Sequence, residues 1–479
     1  MIKQRCSLFT IIFLLAAQIL NAQDVTSIIK KGKETGAFWS VSIRDVQGNL
    51  LEEYNSDHLI IPASNQKLFT TAAILDGLGS DFRFTTSIYS VGILVDGIWE
   101  GDLTFRAVGD PSISGIMYEE DREFVFRSLF NQLREKGVEE IKGALVADVS
   151  YFDDQTFPKG WDWEDLSFYY GVEISPLSFN NNAVDLIVDA NGEIGETPAI
   201  SWFPENTDYV TFFNRQIIAS SNTKYDEDYL KYLGKNQIHL GSLLPQGYLE
   251  EESLAISEAE MFFLKSFDNY LNRNGIKTSG EFETQTANIS DYWDTNPILA
   301  THTSEALYKL IEWTNKESDN FYTEMLLKTL AAEKQGIPGT FENGIDEVRH
   351  FLGRMEVDTT NVFMKDGSGM ASGNFTKTSI LSDFLVKMQD HSEFDAFYKS
   401  LSIAGIDGTV AHRMKGTPLY NNFKGKSGYV GGVRTLSGYF ETASGDTLIV
   451  SLAANNFIGK VRPIDAIHEE ILMYLYEFY

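Results

Sequence analysis

Residues 62–79 read Pro62-Ala63-Ser64-Asn65-Gln66-Lys67-Leu68-Phe69-Thr70-Thr71-Ala72-Ala73-Ile74-Leu75-Asp76-Gly77-Leu78-Gly79. Leu68, Ala72, Leu75 and Leu78 recur at helical spacing, so this stretch predicts a helix with an apolar face that opens at Ser64 and stops at Gly79. Ser64 and Lys67 then lie one turn apart on one face, close enough for an amine to take the proton of a hydroxyl. Two other S-x-x-K tetrads begin at Ser27 and Ser221. Ser27 sits near the chain start, where ends fray, and Ser221 lies in a polar Ser-Ser-Asn-Thr loop. Only Ser64 opens a long apolar-faced run. The plain alternative is a helix-capping serine followed by a surface lysine.

Two further elements could share a site with it. Ser318-Asp319-Asn320 falls in the break between two helical stretches, Ser304 to Thr314 and Asn320 to Ala332. In an extended link, positions i and i+2 face the same side, so Ser318 and Asn320 can point into one cleft; a capping role for Ser318 is the alternative. Lys426-Ser427-Gly428 is the one K-[ST]-G in the chain and enters a strand. A glycine there lets a substrate backbone approach the strand edge, while the lysine and hydroxyl can hold a carboxylate. A surface turn would look the same.

Other chemistries find little support. The seven histidines include no H-E-x-x-H pair, and no G-x-S-x-G occurs. Gly425-Lys426-Ser427 resembles the end of a phosphate-binding loop, but the required first glycine is Tyr420. A formal charge of −29 repels phosphate backbones and anionic lipid, which argues against nucleic acid as a partner.

The first 22 residues predict a secretory signal peptide, with Lys3 and Arg5 before an apolar Leu8–Leu20 and a small residue, Ala22, at the cleavage position. The apolar run is shorter than the ~20 residues of a membrane span, so no integral anchor is expected. Cys6, the single cysteine, leaves with that peptide. The expected protein is exported, periplasmic in a Gram-negative envelope, and free of disulfides.

Ala37 to Arg44 and the segment after the Asp45–Asn49 turn predict strands. Short β segments run from Phe82 to Ile113, a helix from Glu119 to Lys136, and a strand from Gly143 to Asp148. Residues 150–290 mix strands and turns without a repeat. The end predicts strand, hairpin and strand (Gly432 to Phe440, Thr447 to Asn455), then a helix with Ile464, Ile467, Ile471 and Leu475 on one face. Ser64 and Ser318 are 254 residues apart, whereas Ser318 and Lys426 are 108 apart. A compact site needs no such first gap. The expected organisation is therefore a split domain, 24–81 plus 296–479, interrupted by a mostly β insert at 82–295. Trp161 and Trp163 are expected in the core of that insert.

S-x-x-K, S-D-N and K-T-G, in that order, are the motif set of penicillin-binding proteins and class A β-lactamases. Here Ser427 replaces the threonine and keeps the hydroxyl. Pro62 to Leu68, Gly109-Asp110-Pro111-Ser112, Gly160-Trp161-Asp162-Trp163, Asp366-Gly367-Ser368-Gly369, Ala404 to Thr409 and Gly425 to Tyr439 resemble the D-alanyl-D-alanine carboxypeptidase/endopeptidase family, the class C low-molecular-mass penicillin-binding proteins. The matches run from about residue 36 to 456.

The resemblance implies an α+β fold of the β-lactamase/transpeptidase type, an antiparallel sheet flanked by helices, with inserted accessory domains. It implies action on D-Ala-D-Ala stem peptides and cross-links of peptidoglycan, covalent capture of β-lactams, and no metal or cofactor. By the same resemblance Ser64 is the nucleophile and Lys67 its base, neutral through desolvation and the nearby Lys426. Ser318 passes the proton to the leaving amine, and Asn320 holds the peptide amide. Lys426 and Ser427 anchor the terminal carboxylate beside Gly428, and the N–H groups of Ser64 and Tyr429 form the oxyanion hole. Asp165 is a further candidate on the cleft. Relatives often carry arginine where this chain has Ser372, and some carry a polar residue where it has Gly431. A β-lactamase or esterase with the same site and a catalytically silent wall-binding protein are the rival readings, and the oligomeric state is left open.

Overall fold

The computed structural model describes residues 24–204, 209–287 and 290–479. The expected signal peptide, 1–22, lies outside the described residues. Among the described residues no helix is long and apolar enough to cross a membrane.

The two ends of the chain build one six-stranded antiparallel sheet, in the order Ser402–Ile403, Lys424–Val430, Val433–Glu441, Thr447–Asn455, Phe38–Asp45 and Leu50–Tyr54. Alternation sorts its two faces. Trp39, Val41 and Ile43, with Leu448, Val450 and Leu452, point towards the terminal helices Val25–Lys31 and Arg462–Phe478 and form one apolar core with Ile28, Ile464, Ile471 and Leu475. Ile467, the fourth member of the expected stripe, is half-buried at its margin. The other face carries small polar groups: Ser42 Oγ lies 2.8 Å from Ser382 Oγ, and Ser40 Oγ 2.7 Å from Thr378 Oγ1, on the helix Thr378–Met388.

The Ser64 segment lies beyond that polar face. Ala63–Asn65 is a 3-10 turn, and the α-helix runs Gln66–Leu78. The sequence predicted one apolar face, but every residue from Gln66 to Leu75 is buried. This is a central helix, enclosed by Leu307–Lys316, Asn320–Gln335 and Phe341–Arg354, rather than a surface one. Phe69, Phe321, Leu326, Phe351 and Phe384 lie in that second core, each worth about 1.5–3 kcal/mol when fully buried. Ser27 instead closes a capping box with Asp24 on the first helix.

The middle of the chain has its own core around a five-stranded sheet, Phe282–Gln285, Leu145–Asp148, Leu103–Arg106, Thr85–Tyr89 and Ile298–Thr303, covered by Phe124–Glu135 and Ala259–Arg273. Smaller sheets follow, among them Ala199–Phe203, Ala183–Asp189 and Leu249–Ala255. Ile298–Thr303 lies beyond the expected junction at 295/296, yet it pairs antiparallel with Thr85–Tyr89. Entry and exit strands thus zip together, and the crossing is a neck at Phe84 and Ser304, whose backbones and hydroxyl are hydrogen-bonded. One stretch of the middle segment belongs to the other core: Tyr151, Phe152, Val172 and Ile174 pack with the helices around Gln66–Leu78. Asp153 there pairs with the buried Lys328 at 2.6 Å. That stretch forms a wall beside the Gln66–Leu78 helix.

Candidate active site

Ser64 stands at the head of the central helix, held by its neighbours. Asn65 Nδ2 donates to Ser437 Oγ at 2.7 Å, and Thr435 Oγ1 donates to the Pro62 carbonyl at 2.8 Å. Both partners are on the sheet strand Val433–Glu441. Lys67, with no exposed surface, sends Nζ to three oxygens: Ser64 Oγ at 3.2 Å, Asn320 Oδ1 at 2.7 Å and the Ser368 carbonyl at 2.8 Å. The surface-lysine alternative does not survive that burial. Burial also lowers the Lys67 ammonium to about 8, against the opposing pull of the Asp366, Glu324 and Asp319 carboxylates. The expected push from Lys426 is not the cause.

The S-D-N segment divides its labour. Asp319 caps the helix Asn320–Gln335, accepting from Tyr322 N at 2.9 Å and from Trp313 Nε1 at 3.0 Å. Asn320 begins that helix and faces the cluster; besides accepting from Lys67 it donates Nδ2 to the Tyr170 carbonyl at 3.0 Å. Ser318 has φ 61°, a left-handed conformation that costs a non-glycine residue ~1 kcal/mol. It is half-buried and two residues from Asn320, and the hydrogen-bond partners of Lys67 Nζ are Ser64, Asn320 and Ser368 rather than Ser318. Strain of this kind persists only where the surroundings impose it.

The third element runs alongside. Strand Lys424–Val430 is paired on one side throughout by Val433–Glu441, but on the other only Lys424 and Gly425 meet a strand, so from Lys426 onward an edge is open among the described residues. A Cβ on Gly428 would lie 2.4 Å from Thr435 Oγ1, 2.8 Å from Ser64 N and 3.0 Å from Ala63 Cβ. Only glycine lets this strand pass so close to Ser64. Lys426 is buried, donates to the Ser427 carbonyl at 2.9 Å, and is held well below the ordinary lysine range by burial and by Lys67. Ser427 Oγ donates to Thr409 Oγ1 at 2.8 Å. The Tyr429 side chain is 56% exposed, at the rim.

Asp165 is more remote. It starts the 3-10 turn Asp165–Ser167, is half-buried, and bonds to Tyr170, the residue whose carbonyl takes the Asn320 amide. Burial raises its carboxyl above the ordinary range. Trp163 is 57% exposed and so is not a core residue, because the loop that carries it lies on the surface. Trp161 donates Nε1 to Asp366 Oδ2 at 2.9 Å, tying the middle segment to the site.

Sequence reasoning gave no role to the loop Asp366–Gly369. Asp366 accepts from Gly369 N, Ala371 N, Asn374 Nδ2 and Trp161 Nε1, and so fixes the turn that presents the Ser368 carbonyl to Lys67. Gly369, with φ 83°, lies against the Ala63 carbonyl, where a Cβ would come to 1.9 Å. Glu324 was missed altogether; its signal is a carboxylate four residues after Asn320 on the same helix face. Among the described residues, Glu227, Glu250 and Glu252 have carboxylates within 4.8 Å of one another, in the middle segment, and no other such metal-ligating group occurs. Burial, then Glu227, pushes Glu252 up to about 7.

A buried lysine with two acceptor oxygens and a serine hydroxyl, beside an open strand edge, is the equipment of a serine acyl-transfer enzyme. The sequence profile of the D-Ala-D-Ala carboxypeptidase 3 (S13) family matches residues 21–471, and the chain belongs to that family. It is a serine-type D-Ala-D-Ala carboxypeptidase. The D-alanyl-D-alanine carboxypeptidase of Actinomadura sp. (strain R39) is 28% identical over 470 residues, covering 95% of this chain and 84% of the relative. The D-alanyl-D-alanine carboxypeptidase DacB of Haemophilus influenzae is 26% identical over 435 residues, covering 89% and 86%. The crystal structure of penicillin binding protein 4 from H. influenzae is similar in fold, with a TM-score of 0.83 at 24% identity over 95% of this chain and 100% of that one. The expected β-lactamase/transpeptidase-like α+β fold is present.

Proposed function

We propose that Ser64 attacks the carbonyl of a terminal D-alanyl-D-alanine bond in peptidoglycan stem peptides and cross-links, and that β-lactams acylate the same hydroxyl. The observation that carries this is the set of three oxygens around Lys67 Nζ. A neutral amine has two N–H bonds and one lone pair. With the N–H bonds directed to Asn320 Oδ1 and the Ser368 carbonyl, the lone pair is left for the Ser64 proton. Burial, which lowers Lys67 to about 8, favours that neutral form.

Attack places negative charge on the substrate oxygen, for which the N–H groups of Ser64 and Tyr429 are the proposed donors. The proton taken by Lys67 is passed through Ser318 to the departing D-alanine amine. Asn320 positions the peptide amide. Lys426 and Ser427 receive the free carboxylate; a carboxylate entering beside Lys426 would restore the charge that burial disfavours. Water then hydrolyses the acyl-enzyme. Asp165, behind Tyr170, is proposed to face an arm of the stem peptide. Export to the periplasm follows from the expected signal peptide. For the domains, the strand pairing supports a catalytic unit of 24–84 with 304–479 and an accessory unit between.

Fluorescent penicillin followed by peptide mapping tests the assignment. Ser64 is expected to carry the label, and Ser64→Ala to lose it while remaining folded. Rapid turnover of penicillin would favour a β-lactamase, and no labelling a silent wall-binding protein.

A further inference from the structure

Glu324 sits one turn beyond Asn320 and is completely buried, although a carboxyl group is among the costliest side chains to bury. Its Oε1 accepts from Gly367 N at 3.0 Å and Ser368 N at 2.7 Å, and Oε2 lies 3.2 Å from Gly367 N. The same short piece of backbone continues into the Ser368 carbonyl, which accepts from Lys67. The Gly367 carbonyl on its other side accepts from Thr70 Oγ1 at 2.7 Å, on the nucleophile helix. A side chain from the S-D-N helix therefore grips the backbone that aims the amine of the S-x-x-K helix.

We propose that Glu324 is a positioning residue for Lys67: its carboxyl group fixes the Gly367–Ser368 backbone that orients the amine, and its charge sets the pH at which that amine becomes free. This rests on the reading of Lys67 as the base of Ser64.

Burial, then Asp366, pushes Glu324 up to about 8, the range in which Lys67 titrates. As Glu324 ionises, its negative charge favours the protonated amine. The charged groups that face the pair are Asp366 from the loop, Asp319 from the head of the helix, Lys328 one turn further along it and Lys426 from the strand. Glu324→Gln leaves all four in place, keeps one acceptor oxygen for Gly367 N and Ser368 N, and removes the titrating charge together with the longer Oε2 contact to Gly367 N.

The test is the second-order rate of Ser64 acylation by a fluorescent penicillin between pH 6 and 10, on the full chain, for wild type, Glu324→Gln and Glu324→Ala. In Glu324→Gln the acidic limb is expected at lower pH than in the wild type. Glu324→Ala releases the loop as well and is expected to lose about tenfold or more of the plateau rate, as displaced catalytic groups do. A merely structural carboxylate would be replaced by glutamine with no movement of the limb. Coincident limbs in wild type and Glu324→Gln would overturn the proposal, and this comparison stands even if Glu324→Ala does not fold. If the wild type is not acylated at Ser64, the underlying reading fails, and this inference with it; acylation with coincident limbs removes the inference alone.

Discussion

The acylation rate should climb about tenfold between pH 7 and pH 9, because of where Lys67 sits. An ordinary lysine near 10.4 is neutral in only roughly one molecule in 2,500 at pH 7. With its ammonium lowered to about 8 by burial, about one Lys67 in eleven is neutral at pH 7 and about ten in eleven at pH 9. The sign is fixed by chemistry: the neutral form takes the Ser64 proton, so activity is lost as pH falls through the lysine's value. The perturbation is pH alone, and Lys67→Arg is the control, since a guanidinium cannot give up its proton in this range. The assay is stopped-flow or gel-based acylation by a fluorescent penicillin, with stability checked across the range by circular dichroism. A flat profile from pH 6 to 9 would refute the role of Lys67 as a titrating base. A rate still rising about tenfold per pH unit between pH 8 and pH 9 would show that burial does not lower its proton affinity.

Gly428→Ala should cost about 1–3 kcal/mol of stability from overpacking and about 10²–10³ in acylation if Ser64 N is an oxyanion donor, because the added methyl lies 2.8 Å from that nitrogen; wild-type acylation by the folded mutant would dismiss the close approach. Lys426→Ala should lower kcat/KM about tenfold to a hundredfold for both D-Ala-D-Ala peptides and penicillin, the range of a charge-assisted hydrogen bond of about 1.5–3 kcal/mol. Asp319→Ala should destabilise the protein by about 0.5–2 kcal/mol in urea unfolding, since the cap on Tyr322 N is lost, and should slow acylation by loosening Asn320.

Much of this site is legible in the order of the motifs along the chain. Ser64 and Lys67 meet as the helical spacing implied and Lys67 also meets Asn320, but Ser318 has φ 61° and Asn320 begins a helix, so the link between them is not the extended one from which a shared face was argued. What escaped was whatever depends on burial from all sides. Leu68, Ala72 and Leu75 read as one face, yet Thr70, Thr71 and Gln66 are buried too; Thr70 Oγ1 donates to the Gly367 carbonyl and Thr71 Oγ1 to the Lys67 carbonyl one turn back. Periodicity cannot reveal a helix wrapped by three others. Glu324 and Asp366 look like surface carboxylates in the sequence and are buried anchors in the fold. Trp163 failed for the opposite reason, because aromatic residues are not always inside. The strand that follows the expected junction at 295/296 pairs with 85–89, and nothing local distinguishes such a strand from one joining the six-stranded sheet.

The central claim is a covalent intermediate on Ser64 formed by a peptide ending in D-Ala-D-Ala. Mass spectrometry of the protein quenched during turnover of a thioester or stem-peptide substrate, followed by peptide mapping, measures it directly. The account predicts an acyl adduct on the peptide containing Ser64, with release of the terminal D-alanine or its thioester counterpart, and neither in Ser64→Ala. Turnover without an adduct on Ser64, or turnover that persists in Ser64→Ala, would contradict it.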